Sequence, residues 1–196
     1  MIRLFSLAGA LAALVVWLGL LQSDGESAGA SDSGSPAVAS LRATWAFRPD
    51  SLKELADNAP LAVTATVAGV EPGEPLIASE DVGEPDEPSI PTQRIVFDVE
   101  EILYGSAPAQ LVLLKTGSAD TWIDDDPPYQ VGERYLLLLT ESTSQPGLYV
   151  PPAPDGRMLV VDGVVQPLIA GPIAETLGGR TEEGAENTIT QVSPPQ

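Results

Sequence analysis

Residues 61–70 read LAVTATVAGV, and this stretch decides the fold class. Apolar residues stand at every second position from Leu61 to Val67, and Thr64 and Thr66 occupy positions between them. Successive side chains of a β-strand point to opposite faces of a sheet. The alternation therefore predicts a strand with one apolar face and one polar face.

Stretches downstream give the same kind of signal. Residues 94–103 also alternate, and residues 134–140, RYLLLLT, are apolar on both faces, which predicts a central strand. Asp162 and Gly163 form a type I′ hairpin signal between two of the last strands. Further strands are predicted at 110–116, 147–151, 157–161 and 164–168, and a last helical turn at 172–177.

A short helix is predicted before the first of these strands. Ser51 and Glu54 have the S-x-x-E spacing of a capping box. Leu52, Leu55 and Ala56 form an apolar stripe at i, i+3 and i+4, which is typical of an amphipathic helix. We expect this helix to cover one end of the domain that follows.

These elements together predict an all-β fold with one short helix. Six or seven short strands within residues 41–177 fit a small OB-like β-barrel. A β-sandwich of the immunoglobulin kind is the alternative, although no Cys-Trp-Cys core marks it here. The segment has the length of one ordinary domain with a single core.

The N-terminus predicts export. Residues 4–21, LFSLAGALAALVVWLGLL, contain no charged residue and would form a helix about 27 Å long outside the barrel. Arg3 precedes them and acidic residues follow, so the amine end is expected in the cytoplasm. Residues 1–21 are either a signal peptide, with Ala28-Gly29-Ala30 as the cleavage site, or an uncleaved signal anchor. The domain is then extracytoplasmic, either secreted or membrane-tethered through residues 4–21 alone.

Three segments are predicted to be disordered. Residues 22–40 are rich in Ser, Gly, Ala and Asp and form a stalk, and residues 178–196 form a tail of similar composition. Residues 71–93 form a loop with seven acidic residues, five prolines and no basic residue. Such a loop either keeps the protein soluble or attracts a partner or cation.

Composition excludes several kinds of chemistry. The chain of 196 residues has no cysteine and no histidine, so disulfides, zinc–thiolate sites and Cys-His or Ser-His-Asp catalysis are impossible. A formal net charge of −19 opposes nucleic acid and anionic lipid as partners. No cofactor is expected beyond a weakly bound Ca²⁺.

That Ca²⁺ hypothesis rests on four carboxylates in one predicted loop: Asp120, Asp124, Asp125 and Asp126. Carboxylate oxygens are the ligands that hard cations prefer. The EF-hand pattern is not met, because no glycine stands at its turn position and no glutamate closes the loop. The alternative interpretation is a solvated loop.

Two other sets of side chains are candidates for a site. Asp98 and Glu100 share a face of a predicted strand at a spacing that suits paired acid/base carboxylates, although the outer, wet face of an antiparallel strand is the favoured interpretation. Trp45 and Trp122 are candidate surface-binding residues, because exposed aromatic side chains often anchor partners. Burial at a barrel end is the alternative for both tryptophans.

The order of motifs also resembles a known group of proteins. SLKELADNAPLAVTATVAGVEP, RIVFDVEEILYGS, GERYLLLLT and PDGRMLVVDGVV follow one another along the chain. This order resembles exported bacterial proteins of the actinobacterial type, which run as a helix, ADLVVVGTV, FxVEEVLKG and VGERYLLFL. The resemblance implies a small OB-like barrel, similar in outline to the netrin and metalloproteinase-inhibitor barrel, and no known activity. Tyr104 stands where that group often has lysine, and the cysteine on which such inhibitors depend is absent.

We therefore expect a non-catalytic extracytoplasmic binding module at the cell surface. Its partner would be a protein, a peptide or a cell-wall polymer. The alternative is a carboxylate-type hydrolase that acts on a glycan or peptide.

Overall fold

The computed structural model describes residues 39–42, 45, 47–77, 89–118, 121–124 and 126–192. The strands in these ranges are β1 Ala39–Arg42, β2 Leu61–Pro72, β3 Leu76–Ile77, β4 Ser89–Ile90, β5 Thr92–Tyr104, β6 Gln110–Thr116, β7 Thr121–Asp124, β8 Arg134–Glu141, β9 Tyr149–Val150, β10 Arg157–Val161 and β11 Val164–Pro167. The helices are α1 Leu52–Asp57, α2 Pro172–Leu177 and α3 Glu182–Val192, with a 3-10 turn at Pro154–Gly156.

Five of the strands close into a barrel. Around it the order is β2, β5, β6, β9 and β8, and β8 returns to β2. β6 and β9 pair in parallel, and the other barrel neighbours pair antiparallel. This closed Greek-key order is that of a small OB-like barrel, so the predicted fold class is confirmed and the sandwich alternative is wrong.

The barrel closes through very few backbone pairs. β9 meets β6 at the single pair Leu113–Tyr149. It meets β8 at two pairs, Thr140–Val150 and Glu141–Tyr149. By contrast, β2 and β5 pair along ten positions, with three bulges or register shifts that bend the strands. We call the short β6–β9–β8 contact the seam.

β8 is buried on both faces, as its sequence predicted. Tyr135, Leu137 and Leu139 point into the barrel, and Leu136 and Leu138 point outward into a second core. All five side chains are at most 2 % exposed. β10 and β11 extend the sheet beyond β8, which widens this outer face.

Three helices cover the outer core. Leu55 of α1, Ile173 and Leu177 of α2, and Ala185 and Ile189 of α3 are at most 1 % exposed there. The capping box of α1 forms with one difference: Glu54 donates its backbone N–H to Ser51 Oγ, but its carboxylate accepts from the residue before Ser51. Each helix is short, and each is held by the apolar surface it covers.

The prediction that the C-terminal tail is disordered is wrong for α3. Residues 182–192 form a helix because Ala185 and Ile189, four residues apart, complete the outer core. Polar contacts hold α3 as well: Arg134 of β8 forms an ion pair with Glu182, and Thr64 Oγ1 donates to Glu186 Oε1 at 3.0 Å. We call these four side chains the helix latch.

Other predicted boundaries also shift. Strand β2 runs to Pro72, β5 begins at Thr92, and β3 and β4 form a short ladder, so the acidic segment 71–93 is not a loop throughout. Ala39 and Ser40, which the sequence placed in the stalk, pair with β7 in β1.

Most of the predicted N-terminal segments lie outside the described residues. These include residues 4–21 and residues 22–38 of the stalk. Within the part of the chain that the structure describes, no helix is both long and apolar enough to cross a bilayer.

Candidate binding site at the mouth of the barrel

One end of the barrel holds a pocket of about 460 Å³. The end of β2 and the start of β5 form its wall, and Ser118, just after β6, completes it. Gln93 pairs with Pro72 on one side and with Lys115 on the other, two residues before the buried Ile95. Because side chains alternate along a strand, these positions share the inner face of the barrel. We call this space the mouth pocket.

The mouth pocket has an apolar wall with several neutral polar groups and one carboxylate. Val70, Pro72, Pro75 and Pro91 supply apolar surface, and the remaining lining side chains are hydroxyls, one amide and one carboxylate: Ser89, Thr92, Ser118, Gln93 and Glu71. Among the described residues of this lining there is no basic and no aromatic side chain.

Two loops meet beside the pocket. Thr92 Oγ1 donates to the carbonyl oxygen of Glu74 at 2.7 Å, and Gln145 Nε2 donates to the same oxygen at 3.2 Å. The turn after β2 is thereby tied both to β5 and to the β8–β9 loop. Gly73 is required in this turn, because a Cβ there would lie 2.3 Å from Thr92 Oγ1.

A buried group of charged side chains lies at the same end of the barrel interior. Asp126 Oδ2 accepts from Lys115 Nζ at 2.6 Å, and Asp126 Oδ1 accepts from Arg157 Nη1 at 2.9 Å. Lys115 also donates to the Asp126 carbonyl, and Arg157 donates to the Pro127 carbonyl at 2.6 Å. The guanidinium of Arg157 stacks 4.0 Å from the ring centre of Tyr129. We call Lys115, Asp126 and Arg157 the ion cluster.

The electrostatics of the ion cluster indicate a structural role rather than a reactive one. Burial lowers the pKa of Lys115, although Asp126 opposes this effect. Burial also acts to lower the pKa of Arg157, but the neighbouring Tyr129 and Asp126 outweigh it, so the pKa is raised. Burial raises the pKa of Tyr129 to about 12, which keeps the phenol neutral. Both cations are already bound to Asp126 and to backbone carbonyls, so neither is presented as a nucleophile.

The structure brings one member of the predicted Ca²⁺ site into this cluster. Both carboxylate oxygens of Asp126 are held by cationic side chains, so they are not available to a metal ion. Asp120 and Asp125 lie outside the described residues, and of Asp124 only the backbone, in β7, is described. The residues described contain no group of three acidic side chains placed to hold a metal ion. Ca²⁺ binding by the other three stays a prediction.

Asp98 and Glu100 lie exposed on β5 and have separate partners. Gln110 Nε2 donates to Asp98 at 3.0 Å. Glu100 accepts from Thr66 and from Arg134 Nε, the latter at 2.8 Å. Burial acts to raise the pKa of Glu100, but these two contacts outweigh it and lower the pKa, which is the wrong direction for a general acid. Neither carboxylate lines the mouth pocket.

Neither candidate tryptophan is among the described residues that line the pocket. Trp45 is half-buried, and its Nε1 is buried with no hydrogen-bond partner in the described structure. The side chain of Trp122 lies outside what is described, although its backbone forms part of β7. Their roles as surface anchors stay predictions.

Sequence reasoning missed Lys115 and Arg157. Lys115 stands two residues after Leu113 in QLVLLKT, on the face that becomes the barrel interior. A lysine in the apolar register of a strand is the signal that could have found it, because buried lysines are nearly always paired. Its partner Asp126 lies 11 residues further along the chain, and Arg157 lies 31 residues after Asp126. The pairing therefore depends on residues that are far apart in sequence.

Comparisons of the chain with protein-family models, with curated proteins and with solved structures give no significant match. The resemblance to exported bacterial barrel proteins therefore stays a prediction from the quoted motifs.

Proposed function

We propose that this chain is a non-catalytic binding module that holds its ligand in the mouth pocket. The observation that carries the proposal is the pocket itself, at the barrel end where the loop after β2 and the β8–β9 loop meet. OB barrels bind ligands with loops in these positions. A volume of about 460 Å³ also lies within the usual range of ligand sites.

The chemistry of the chain supports binding over catalysis. It has neither histidine nor cysteine. The two described carboxylates considered for acid/base work are exposed and have separate partners, and the two buried cations are both paired with Asp126. No observation favours the hydrolase alternative.

The proposed setting is the extracytoplasmic side of a cell membrane. The apolar run at residues 4–21 and the acidic stretch that follows it support export, with the barrel tethered or released. Absent cysteines mean that the fold depends on no disulfide there.

A pair of matched variants of the full chain tests the proposed site. Val70 lines the pocket and Val161 does not, and each residue is 37 % exposed. Binding of peptides and soluble cell-wall oligosaccharides is measured for wild type, Val70→Trp and Val161→Trp. We expect Val70→Trp to weaken binding at least about tenfold by filling the pocket, and Val161→Trp to leave it unchanged. Equal binding by both variants would contradict the proposal.

A further inference from the structure

We infer that α3 is a pH-dependent switch segment: it docks on the barrel most tightly while Glu186 is protonated, and it loosens as Glu186 ionises. Three features of the structure support this: the way in which α3 is attached, the small apolar contact that holds it, and the charges that lie beneath it. The switch lies on the outer face of the barrel, so it is independent of the mouth pocket.

α3 can leave the barrel without opening the sheet. Three backbone hydrogen bonds of 2.9 Å fasten the chain just before α3 to the β10–β11 hairpin, from the N–H of Val165 to the carbonyl of Arg180, from that of Gly179 to Val165, and from that of Glu182 to Gly163. All three lie at or before the first residue of α3. The rest of the helix can therefore separate while the edge of the sheet stays covered.

α3 has little beyond its docking to keep it helical. Gly184 and Asn187 are poor helix formers, and a helix of 11 residues is marginal when it stands alone. Its apolar contact comes from the buried Ala185 and Ile189, with Val192 partly buried beside them. A modest change in electrostatic free energy is therefore enough to shift the balance between the docked and the undocked helix.

One cation serves two carboxylates at the junction of α3 and β5. Arg134 of β8 pairs with Glu100 of β5 at 2.8 Å and also with Glu182 of α3. Glu182 Oε1 is buried, and within the described structure it accepts no hydrogen bond. Arg134 is thus already matched by two carboxylates before Glu186 is counted.

Glu186 is bound through a hydroxyl rather than through a cation. Thr64 Oγ1 donates to Glu186 Oε1 at 3.0 Å. Burial and the like charges of Glu101 and Glu182 raise the pKa of Glu186, and they outweigh the opposing effects of Thr64 and Arg134. Docking therefore favours the protonated form of Glu186, and ionisation of Glu186 adds repulsion between α3 and β5.

Other charged side chains near α3 are engaged elsewhere. On α1, Lys53 pairs with Asp57 at 2.8 Å, and the carboxylate of Glu54 accepts a hydrogen bond at the N-terminus of the helix. Arg180, just before α3, donates to the carbonyl of Thr176 at 2.6 Å. β11, which also contacts α3, has no charged residue. Glu186 is therefore the group whose charge controls docking.

The sign of the pH dependence follows from these contacts. A carboxyl whose pKa is raised in the docked state stabilises docking below its undocked pKa, and this stabilisation is lost as pH rises through the docked pKa. Glu186 is such a carboxyl. We therefore expect α3 to loosen as pH rises from the ordinary carboxyl range towards neutrality.

Hydrogen exchange of the full chain tests this inference, with rates corrected for the intrinsic effect of pH on exchange. The amides of α3 are compared with those of β8, which report on the sheet. We expect protection of α3 to fall at least about threefold more than that of β8 over this pH range. Parallel changes in α3 and β8 would show that only global unfolding depends on pH, and would overturn the inference.

A matched pair of variants on α3 identifies the group that titrates. Glu186→Gln removes the carboxylate that Thr64 binds, whereas Glu183→Gln removes an exposed carboxylate from the same helix. We expect the first to abolish the pH dependence of α3 protection and the second to retain it. The same pH dependence in both variants would assign the titration to another group and overturn the inference.

A substitution on the barrel provides a test that leaves the sequence of α3 intact. Glu101→Gln removes a like charge near Glu186 from the exposed surface of β5, and Asp98→Asn is its control on the same strand. We expect Glu101→Gln to raise the protection of α3 at neutral pH and to weaken its pH dependence, with no such effect of Asp98→Asn. Equal behaviour of the two would contradict control of docking by the carboxylates beneath α3.

Discussion

Two groups of charged side chains hold peripheral segments onto the barrel, and they differ in burial. In the ion cluster, the cations Lys115 and Arg157 are almost fully buried around Asp126. In the helix latch, Arg134 exposes 36 % of its side chain while it pairs with Glu182, and it also pairs with Glu100. Water can solvate Arg134 of the latch if a partner is lost, but it has little access to Lys115 and Arg157 of the ion cluster. We therefore expect a substitution in the ion cluster to lower the free energy of unfolding far more than a similar substitution in the helix latch.

The largest effect is expected for Asp126→Ala. The substitution leaves two buried cations without their carboxylate, and breaking a buried pair in this way costs about 3–5 kcal/mol. Urea denaturation of the full chain measures the loss. The matched control is Asp98→Ala, which removes an exposed carboxylate with one amide partner and should cost less than about 1 kcal/mol. Similar losses for the two variants would refute a structural role for the ion cluster.

The next largest effect is expected for Ile189→Ala in α3. Ile189 is fully buried in the outer core, and truncating such a side chain costs about 2–4 kcal/mol. Hydrogen exchange at the α3 amides should accelerate, because the helix loses its main apolar contact. The control Thr190→Ala changes the next, exposed residue. If both variants leave α3 equally protected, the helix is held by something other than its apolar stripe.

A smaller effect is expected for Arg134→Gln. It removes two partly exposed ion pairs of the latch region, and such pairs contribute about 1 kcal/mol or less in total. The loss of unfolding free energy relative to wild type should be smaller at high salt than at low salt, because salt screens exposed charges. A loss as large as that of Asp126→Ala would show that burial is not what separates the two groups.

The smallest effect is a pH dependence centred on Glu186. Burial raises the pKa of Glu186, and the nearby Glu101 and Glu182 add to this, although Thr64 and Arg134 oppose it. A carboxyl whose pKa is higher in the folded state contributes stability below its unfolded pKa, and loses it as pH rises through the folded pKa. Glu100, whose pKa is lowered, contributes in the opposite sense, losing stability as pH falls through its folded pKa.

The free energy of unfolding of wild type should therefore fall as pH rises from the ordinary carboxyl range. Glu186→Gln should remove that fall. Denaturation midpoints of both proteins, measured across that range, check the prediction. A curve for Glu186→Gln that declines as steeply as wild type would contradict it.

Local patterns were enough to predict most of the elements. The bounds of β6, β10 and α2 agree with those read from the sequence, because apolar runs there end at glycine, proline or polar turns. Both residues of the Asp162-Gly163 turn have positive φ, as a type I′ turn requires. These features depend on residues that are close together in sequence, so one sequence is enough to predict them.

Features that depend on distant residues were not predictable in the same way. The apolar stripe of α3 is short, consisting of Ala185, Ile189 and the partly buried Val192, and it becomes a helix face because a sheet from elsewhere in the chain lies against it. The mouth pocket likewise joins residues from the end of β2, the start of β5 and the turn after β6. The predicted Asp126 ligand proved to be an ion-pair partner for the same reason, since its cations come from β6 and β10.

The seam has a consequence for the order in which the barrel assembles. β2 forms ten residue pairs with β5 and six with β8, whereas β9 contributes one pair to β6 and two to β8. A strand pair that closes a long chain segment through few contacts loses more conformational entropy than its contacts return. Such a pair is therefore unfavourable until the rest of the sheet has formed. We expect the β2–β5–β8 sheet to form early in folding and β9 to dock last, so that an open sheet precedes the closed barrel.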